Sequence, residues 1–305
     1  MADQAENLRN LVKMGSPDVQ KSARPAARVI TVTSGKGGVG KSNTAINLAI
    51  QMKKMGKRVI ILDADFGLAN IEIMFGTVPK YNFADLIYQG KNIRDIITWG
   101  PDEVGFISGG SGIAGMSGLD RGHLTTIIRN LADLDALTDI IIIDTAAGIS
   151  DMVLEFLVAS GEIILVTTPE PTSITDSYSL LKAVSRHPRF YEEETIIRVL
   201  SNRVESVEEG KSLFTKLNAV VNRYLSLSIG YLGSIPQDKA ISDAVMQQMP
   251  VSLHNPKAKS ARAYEKIVNF LLTGQEEAEI KKRGMAAFFY HLVGTKNLAD
   301  KMKQG

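Results

Sequence analysis

Short apolar, β-branched runs recur along this chain, and most are separated by longer stretches in which apolar residues return every three or four positions. The runs are Val29–Thr33, Arg58–Leu62, Val104–Ser108, Ile140–Ile143, Glu162–Thr167, Thr195–Leu200 and Ile229–Ile235. Helical spacing marks Asn43–Met55, Leu119–Leu134, Ser173–Ser185 and Val207–Tyr224. Wholly apolar strands alternating with helices predict an α/β fold whose mostly parallel central sheet is covered by helices on both faces. No internal repeat and no second sheet pattern interrupts the series, so a single domain is expected over residues 28–273. Before it, residues 1–27 read as a short amphipathic helix, Asp3–Met14 with Ala5, Leu8, Leu11 and Val12 in phase, followed by a Pro/Ser/Lys/Ala linker. After it, residues 274–305 leave the strand–helix alternation.

Composition removes several classes of function. The chain has 44% hydrophobic and 22% charged residues, a formal net charge of +2 and no cysteine. Thiolate metal sites, disulfides and thiolate-held iron–sulfur clusters are excluded. The near-neutral charge gives no global field that argues for nucleic acid or against it. Met1–Asn10 is too polar for a secretion signal, and no apolar run reaches the ~20 residues of a spanning helix. A cytoplasmic chain is the expectation.

The chemistry concentrates at three strand ends. Gly35-Lys36-Gly37-Gly38-Val39-Gly40-Lys41-Ser42 satisfies G-x-x-x-x-G-K-[ST] between a predicted strand and a predicted helix, so the fold expected is that of a P-loop NTPase. Its glycines let successive N–H groups face phosphate oxygens, and the helix opening at Ser42 and Asn43 adds its positive end. Lys41 is expected on the β- and γ-phosphates of ATP or ADP, and the Ser42 hydroxyl on Mg²⁺. Ile60–Asp65 and Ile140–Asp144 each run apolar into aspartate. Such carboxylates lie beyond the carboxyl ends of the strands, where open α/β sheets bind ligands. Asp63 and Asp144 are the metal candidates, and Asp65 is the candidate for orienting the attacking water. His123, His187, His254 and His291 show no metal spacing. Trp99, before Gly100-Pro101, is expected to be a packing residue at a turn.

With Lys36 beside Gly35, these residues resemble the MinD/ParA family of deviant Walker A ATPases over most of the core. Asp63–Asn70 resembles the family's first switch and Asp144–Gly148 its second, while Thr168–Asp176 is close to the MinD branch. The resemblance implies a slow ATPase that forms a homodimer around two ATP molecules. It implies that Lys36 reaches the partner's phosphates, and that Asn202 with the Ile235–Asp238 turn, including Pro236 and Asp238, holds adenine. Asp3–Arg9 and Asp63–Asn70 are similar to the FlhG group within the family, the regulators of flagellar number and placement. That likeness implies that residues 3–9 stimulate the GTPase FlhF, and it adds the transcriptional regulator FleQ as a candidate partner.

Met285, Phe288, Phe289, Leu292, Ala299 and Met302 share one side of a terminal helix, with Lys296, Lys301 and Lys303 elsewhere. This is the pattern of an anchor at an anionic membrane, as in MinD-like proteins, and implies reversible attachment to the inner face of the cell membrane. Gly294, Asn297 and Asp300 weigh against it, and a helix docked on its own domain has the same pattern. Two alternatives remain in view, a ParA-like DNA-partitioning ATPase and a MinD-like regulator of the division site. A DNA-partitioning ATPase needs a basic face, so direct DNA binding is not expected. A third class, an iron–sulfur carrier, needs cysteine ligands and is excluded.

Overall fold

The computed structural model describes residues 26–65, 70–110, 130–131, 133–273 and 284–293. The Asp3–Met14 helix, most of its linker, most of the Leu119–Leu134 helix, and Ala299, Met302 and the tail lysines lie outside these residues.

Eight strands form one sheet among the described residues: β1 (Arg28–Thr33), β2 (Val59–Ala64), β3 (Thr98–Trp99), β4 (Gly105–Ser108), β5 (Ile140–Thr145), β6 (Glu162–Thr167), β7 (Ile196–Val204) and β8 (Gly230–Pro236). Their spatial order is β3-β4-β2-β5-β1-β6-β7-β8. Every neighbouring pair is parallel except β3 with β4. All seven apolar runs became strands. The two-residue β3 is too short to leave a periodic signal in the sequence.

Alternation within each strand divides the core, because successive side chains point to opposite faces. Ile30, Val32, Ile61, Ile142 and Ile164 face one layer, built from α1 (Lys41–Lys54), α2 (Asn70–Phe75), α8 (Lys239–Met246), α9 (Val251–His254) and α10 (Lys259–Thr273). Ile60, Leu62, Ile141 and Ile143 face α3 (Phe83–Tyr88), α4 (Ile93–Ile96) and α11 (Gly284–Val293). Ile163, Leu165 and Val199 face α5 (Asp151–Ala159), α6 (Pro171–Ser185) and α7 (Val207–Tyr224). Asn82 and Asn92 start α3 and α4 with reciprocal capping boxes, which support helices too short to persist without packing.

Two sequence expectations meet a different structure. Trp99 is 61% exposed, although one edge of its indole covers Gly105 on the neighbouring strand. A two-residue edge strand has no outer neighbour to cover the rest of the ring. The terminal helix, for its part, is not a free amphipathic surface over its described residues. Met285, Phe288, Phe289 and Leu292 of α11 are buried in the same cluster as Phe83, Phe156 and Ile143. This is the docked arrangement.

The foot of the sheet, at the amino ends of its parallel strands, is tied by buried charge. Arg28 donates to both carboxylate oxygens of Glu162 at 2.8 Å and to the Leu271 carbonyl at 2.7 Å. Arg198 donates to Glu162 at 2.6 Å. This joins β1, β6, β7 and the end of α10. Ala26, which leads into β1, lies against Gly284 at the start of α11. Glu162→Ala would leave two guanidinium groups buried without their carboxylate, and is expected to cost about 3–5 kcal/mol. A urea midpoint unchanged from the parent would show that the triad is not stabilising.

Candidate functional site

The site forms where β1, β2, β5, β7 and β8 end. β1 delivers the chain into residues 34–40, and α1 begins at Lys41 with Gly40 as its N-cap. Two glycines there have a steric reason. A Cβ on Gly35 would stand 2.3 Å from the Asp176 carbonyl carbon, so the loop can run against α6 only without a side chain. Gly40 has φ +93°, and its missing Cβ would fall 2.3 Å from Asn202 Nδ2. That amide donates to the Val39 carbonyl at 2.7 Å, so Asn202 holds the loop from β7. Behind the loop, the Thr44 hydroxyl donates to the Gly40 carbonyl and lies 3.4 Å from the hydroxyl of buried Tyr264 on α10.

Of the predicted carboxylates, Asp144 reaches Lys41 directly. Its ammonium lies 2.6 Å from Asp144 Oδ1 and 3.3 Å from Ser42 Oγ. Asp144 is fully buried, and its Oδ2 makes no hydrogen bond. Asp63, in register with Asp144 on the neighbouring strand, accepts from the Asp65 and Ile71 N–H groups at 3.1 and 3.2 Å. Burial first, and then the Asp144 carboxylate, push Asp63 up to about 7. Burial also raises Asp144, against the pull of Lys41. Asp65 accepts from Asn70 Nδ2 at 3.2 Å. Asp63 and Asp65 thus both hold the start of α2.

A cation fits here by donor chemistry. Ser42 supplies a hydroxyl, Asp144 a buried oxygen without a partner, and Asp63 a second carboxylate. Magnesium typically takes one or two carboxylates and completes its shell with phosphate oxygens and water. No cluster of three or more acidic, histidine or cysteine side chains forms a metal cage among the described residues, and magnesium needs none.

The adenine candidates also meet. Pro236 ends β8 beside Val204, and Asn202 pairs with Ile235. Asp238 is turned inward: it caps α8 at Ala240 N and accepts from the Ser260 N–H and hydroxyl at 3.0 and 2.8 Å. Burial would raise its pKa, but these hydrogen bonds outweigh it and hold the carboxyl low. Lys36 points away from Lys41. Its ammonium is 3.0 Å from Glu170, the exposed N-cap of α6, and 2.9 Å from the hydroxyl of Thr172 in the first turn of that helix. Sequence reasoning gave these two residues no role, although they lie inside Thr168–Asp176, the stretch that carried the MinD likeness. Gly148 in the second switch was also missed: its N–H donates to the Ser34 carbonyl at 2.9 Å, tying that switch to the root of the P-loop.

A sequence model of the ParA family, described as "NUBPL iron-transfer P-loop NTPase", matches residues 26–272. The chain belongs to the ParA/MinD family of P-loop NTPases. Iron transfer through thiolates is closed to this member, which has no cysteine. The chain is 39% identical over 248 residues to the antiactivator FleN of Pseudomonas aeruginosa, covering 81% of this chain and 87% of that one. It is 32% identical over 302 residues to the flagellum site-determining protein YlxH of Helicobacter pylori, covering 96% and 99%. The septum site-determining protein MinD of Pyrococcus horikoshii, solved as a complex with Mg-ADP, superposes with a TM-score of 0.62 at 21% identity, covering 84% of this chain and 99% of that one. At that identity the likeness is one of fold. In this family member the P-loop, Lys36, Asp63, Asp65 and Asp144 occupy one pole of the sheet.

The raised Asp63 has a measurable consequence. In the folded protein it holds its proton to about pH 7, whereas its ordinary value is 3.8. Below pH 4 both forms are protonated, and between pH 4 and 7 only the unfolded chain loses the proton, so stability falls as pH rises. Three units at ~1.4 kcal/mol each give up to about 4 kcal/mol. Without nucleotide, Asp63→Asn should therefore be more stable than the parent at pH 8 and similar at pH 4 by thermal melting. Equal pH profiles for the two proteins would refute the held proton.

Proposed function

We propose that this protein is an ATP-driven molecular switch that regulates flagellar number and placement. The observation carrying the proposal is a complete P-loop whose Lys41 is paired with buried Asp144, with buried Asp63 in register beside it on the next strand, in a chain akin to FleN and YlxH over most of its length. No helix among the described residues is long and apolar enough to cross a membrane. We take its place of work to be the cytoplasm and the inner membrane face.

In this reading the loop N–H groups from Gly35 to Ser42 receive the ATP phosphates, and Lys41 turns from Asp144 to neutralise them. Asn202 and Pro236 border adenine, with Asp238 fixing the turn, and Asn43 lies at the helix start beside the phosphates. Ser42, Asp63 and Asp144 would hold Mg²⁺, which supplies charge neutralisation across the phosphate oxygens when bound. Asp65 orients water for slow hydrolysis. Lys36, exposed on the loop, leaves Glu170 and Thr172 to meet the phosphates of a second copy. Residues 3–9 would act on FlhF, and FleQ is the transcriptional partner consistent with an antiactivator relative. Attachment to the membrane would use the apolar face of α11 and the residues after it. That face is buried here, so α11 must leave its seat before lipid can take it.

Two experiments test the switch. Light scattering should show a monomer with Mg-ADP and a dimer with Mg-ATP. Asp65→Ala should retain nucleotide, favour the dimer and turn over roughly a hundredfold more slowly, the range for losing a water-positioning group. Equal mass with both nucleotides would end the sandwich model, and parental turnover would reassign the carboxylate. Anionic vesicles should pellet the full chain with Mg-ATP but not with Mg-ADP. A chain cut before Gly284 would uncover Phe83 and Phe156, so nucleotide dependence in the intact protein is the cleaner readout.

The amino-terminal segment is tested apart from the core. A peptide of residues 1–20 should accelerate GTP hydrolysis by FlhF, with Gln4 and Arg9 as the polar contributors, since such groups orient water or stabilise phosphate charge. Removing the segment should leave ATP hydrolysis and dimerisation intact. Stimulation by the core but not by the peptide would assign the contact elsewhere.

A further inference from the structure

The seat of α11 is built largely on α5, and α5 is the helix that follows the second switch. Its N-cap is Ser150, two residues beyond Gly148, whose N–H is bonded to the Ser34 carbonyl at the root of the P-loop. On the side facing α11, Phe156 of α5 packs against Phe288 with ring centroids 5.9 Å apart, and Met152 and Ala159 join the same apolar cluster.

Polar contacts hold both ends of α11. At its amino end Asp135 accepts from the Met285 N–H at 2.7 Å, where a carboxylate suits the positive helix terminus. At its carboxyl end Arg189 donates to the His291 carbonyl at 3.0 Å. That carbonyl belongs to the last turn, whose oxygens have no partner within the helix, and a cation there is favoured. The same guanidinium forms an ion pair with Glu155 on α5. Arg189 therefore bridges the end of α11 to the helix that leaves the switch.

We propose that Arg189 is the releasable clasp of α11, and that Glu155 sets it according to the position of the second switch. This rests on the reading that α11 leaves its seat in the ATP form. A shift of the 144–150 segment moves α5 as a rigid rod, carrying Glu155 away from Arg189 and Phe156 away from Phe288 together. The apolar face and the clasp then loosen in one event, because the same helix supports both. Asp135 lies on the segment that precedes β5 and does not share this movement, so the carboxyl end of α11 opens first.

The test uses hydrogen exchange of residues 284–293 in the full chain with Mg-ADP. Glu155→Gln and Arg189→Ala should each speed that exchange on the order of tenfold while leaving β1 and α1 as protected as in the parent, the signature of local rather than global opening. Exchange at the parental rate in both variants would overturn the clasp. The charge-swapped double variant, Glu155→Arg with Arg189→Glu, restores an ion pair but cannot donate to a carbonyl. It should remain fast, and recovered protection would show that the His291 contact does not matter. In the parent, Mg-ATP should speed the same exchange, and the two single variants should lose that nucleotide difference. Anionic vesicles form a separate arm. Faster exchange in the variants with pelleting in Mg-ADP supports clasp and membrane reading together. Faster exchange without pelleting supports the clasp and removes the membrane reading.

Discussion

The ion pair between Lys41 and Asp144 constrains the rest of the site. Both groups are buried, so separating them in place would strand a charge in a medium that solvates it poorly. The start of α1 and the end of β5 are thereby held at one spacing, and the loop between β1 and α1 has little freedom left. Asp63, one strand away, meets the same cation at longer range. Two carboxylates and one ammonium cannot all be charged comfortably there, so Asp144 takes the lysine and Asp63 takes a proton. A phosphate and a divalent cation arriving together would rearrange that balance. The residues reporting it, Asp65, Asn70, Ile71 and Gly148, all belong to the two switch segments or their immediate continuations.

Much of this was legible in sequence because its signals are local. A parallel strand buried on both faces needs an unbroken apolar run, and Ile140–Ile143 can be little else. The P-loop is contiguous, and its neighbours Asp63 and Asp144 declare themselves by ending apolar strands. What escaped depends on contacts between distant segments. Glu162 meets Arg28 from 134 positions away, and nothing in either strand marks the partner. The Lys36–Glu170 pair and the tie from Asn202 to Val39 are of the same kind. Trp99 escaped for another reason: its strand is two residues long, and a turn-flanking tryptophan looks the same whether covered or bare. The apolar stripe of α11 was visible, but a stripe specifies only that something covers it, whether lipid or the protein's own Phe156. Packing decides that, and here it chose the protein.

The layers also divide labour. The helices on one face, α1, α9 and α10, pack behind the loop, and they are locked to one another through Tyr264, Gln51 and Ser252. The opposite face carries α5 and α11, joined by the Phe156–Phe288 contact and by Arg189, which pairs with Glu155 and donates to the His291 carbonyl. Movement is easier where fewer polar ties cross the contact. A signal from the phosphates is expected to travel through the second face while the first stays rigid.

The meeting of Ala26 with Gly284 at the foot of the sheet sets how the molecule is moored. The chain that leads into β1 and the start of docked α11 thus lie side by side, at the pole opposite the phosphates. Cargo gripped by one and a surface gripped by the other would share a single berth, with the nucleotide pole turned outward. Under the proposed function, a partner held by the amino-terminal segment would be set down beside whatever a released α11 meets, without any contact between the partner and that place.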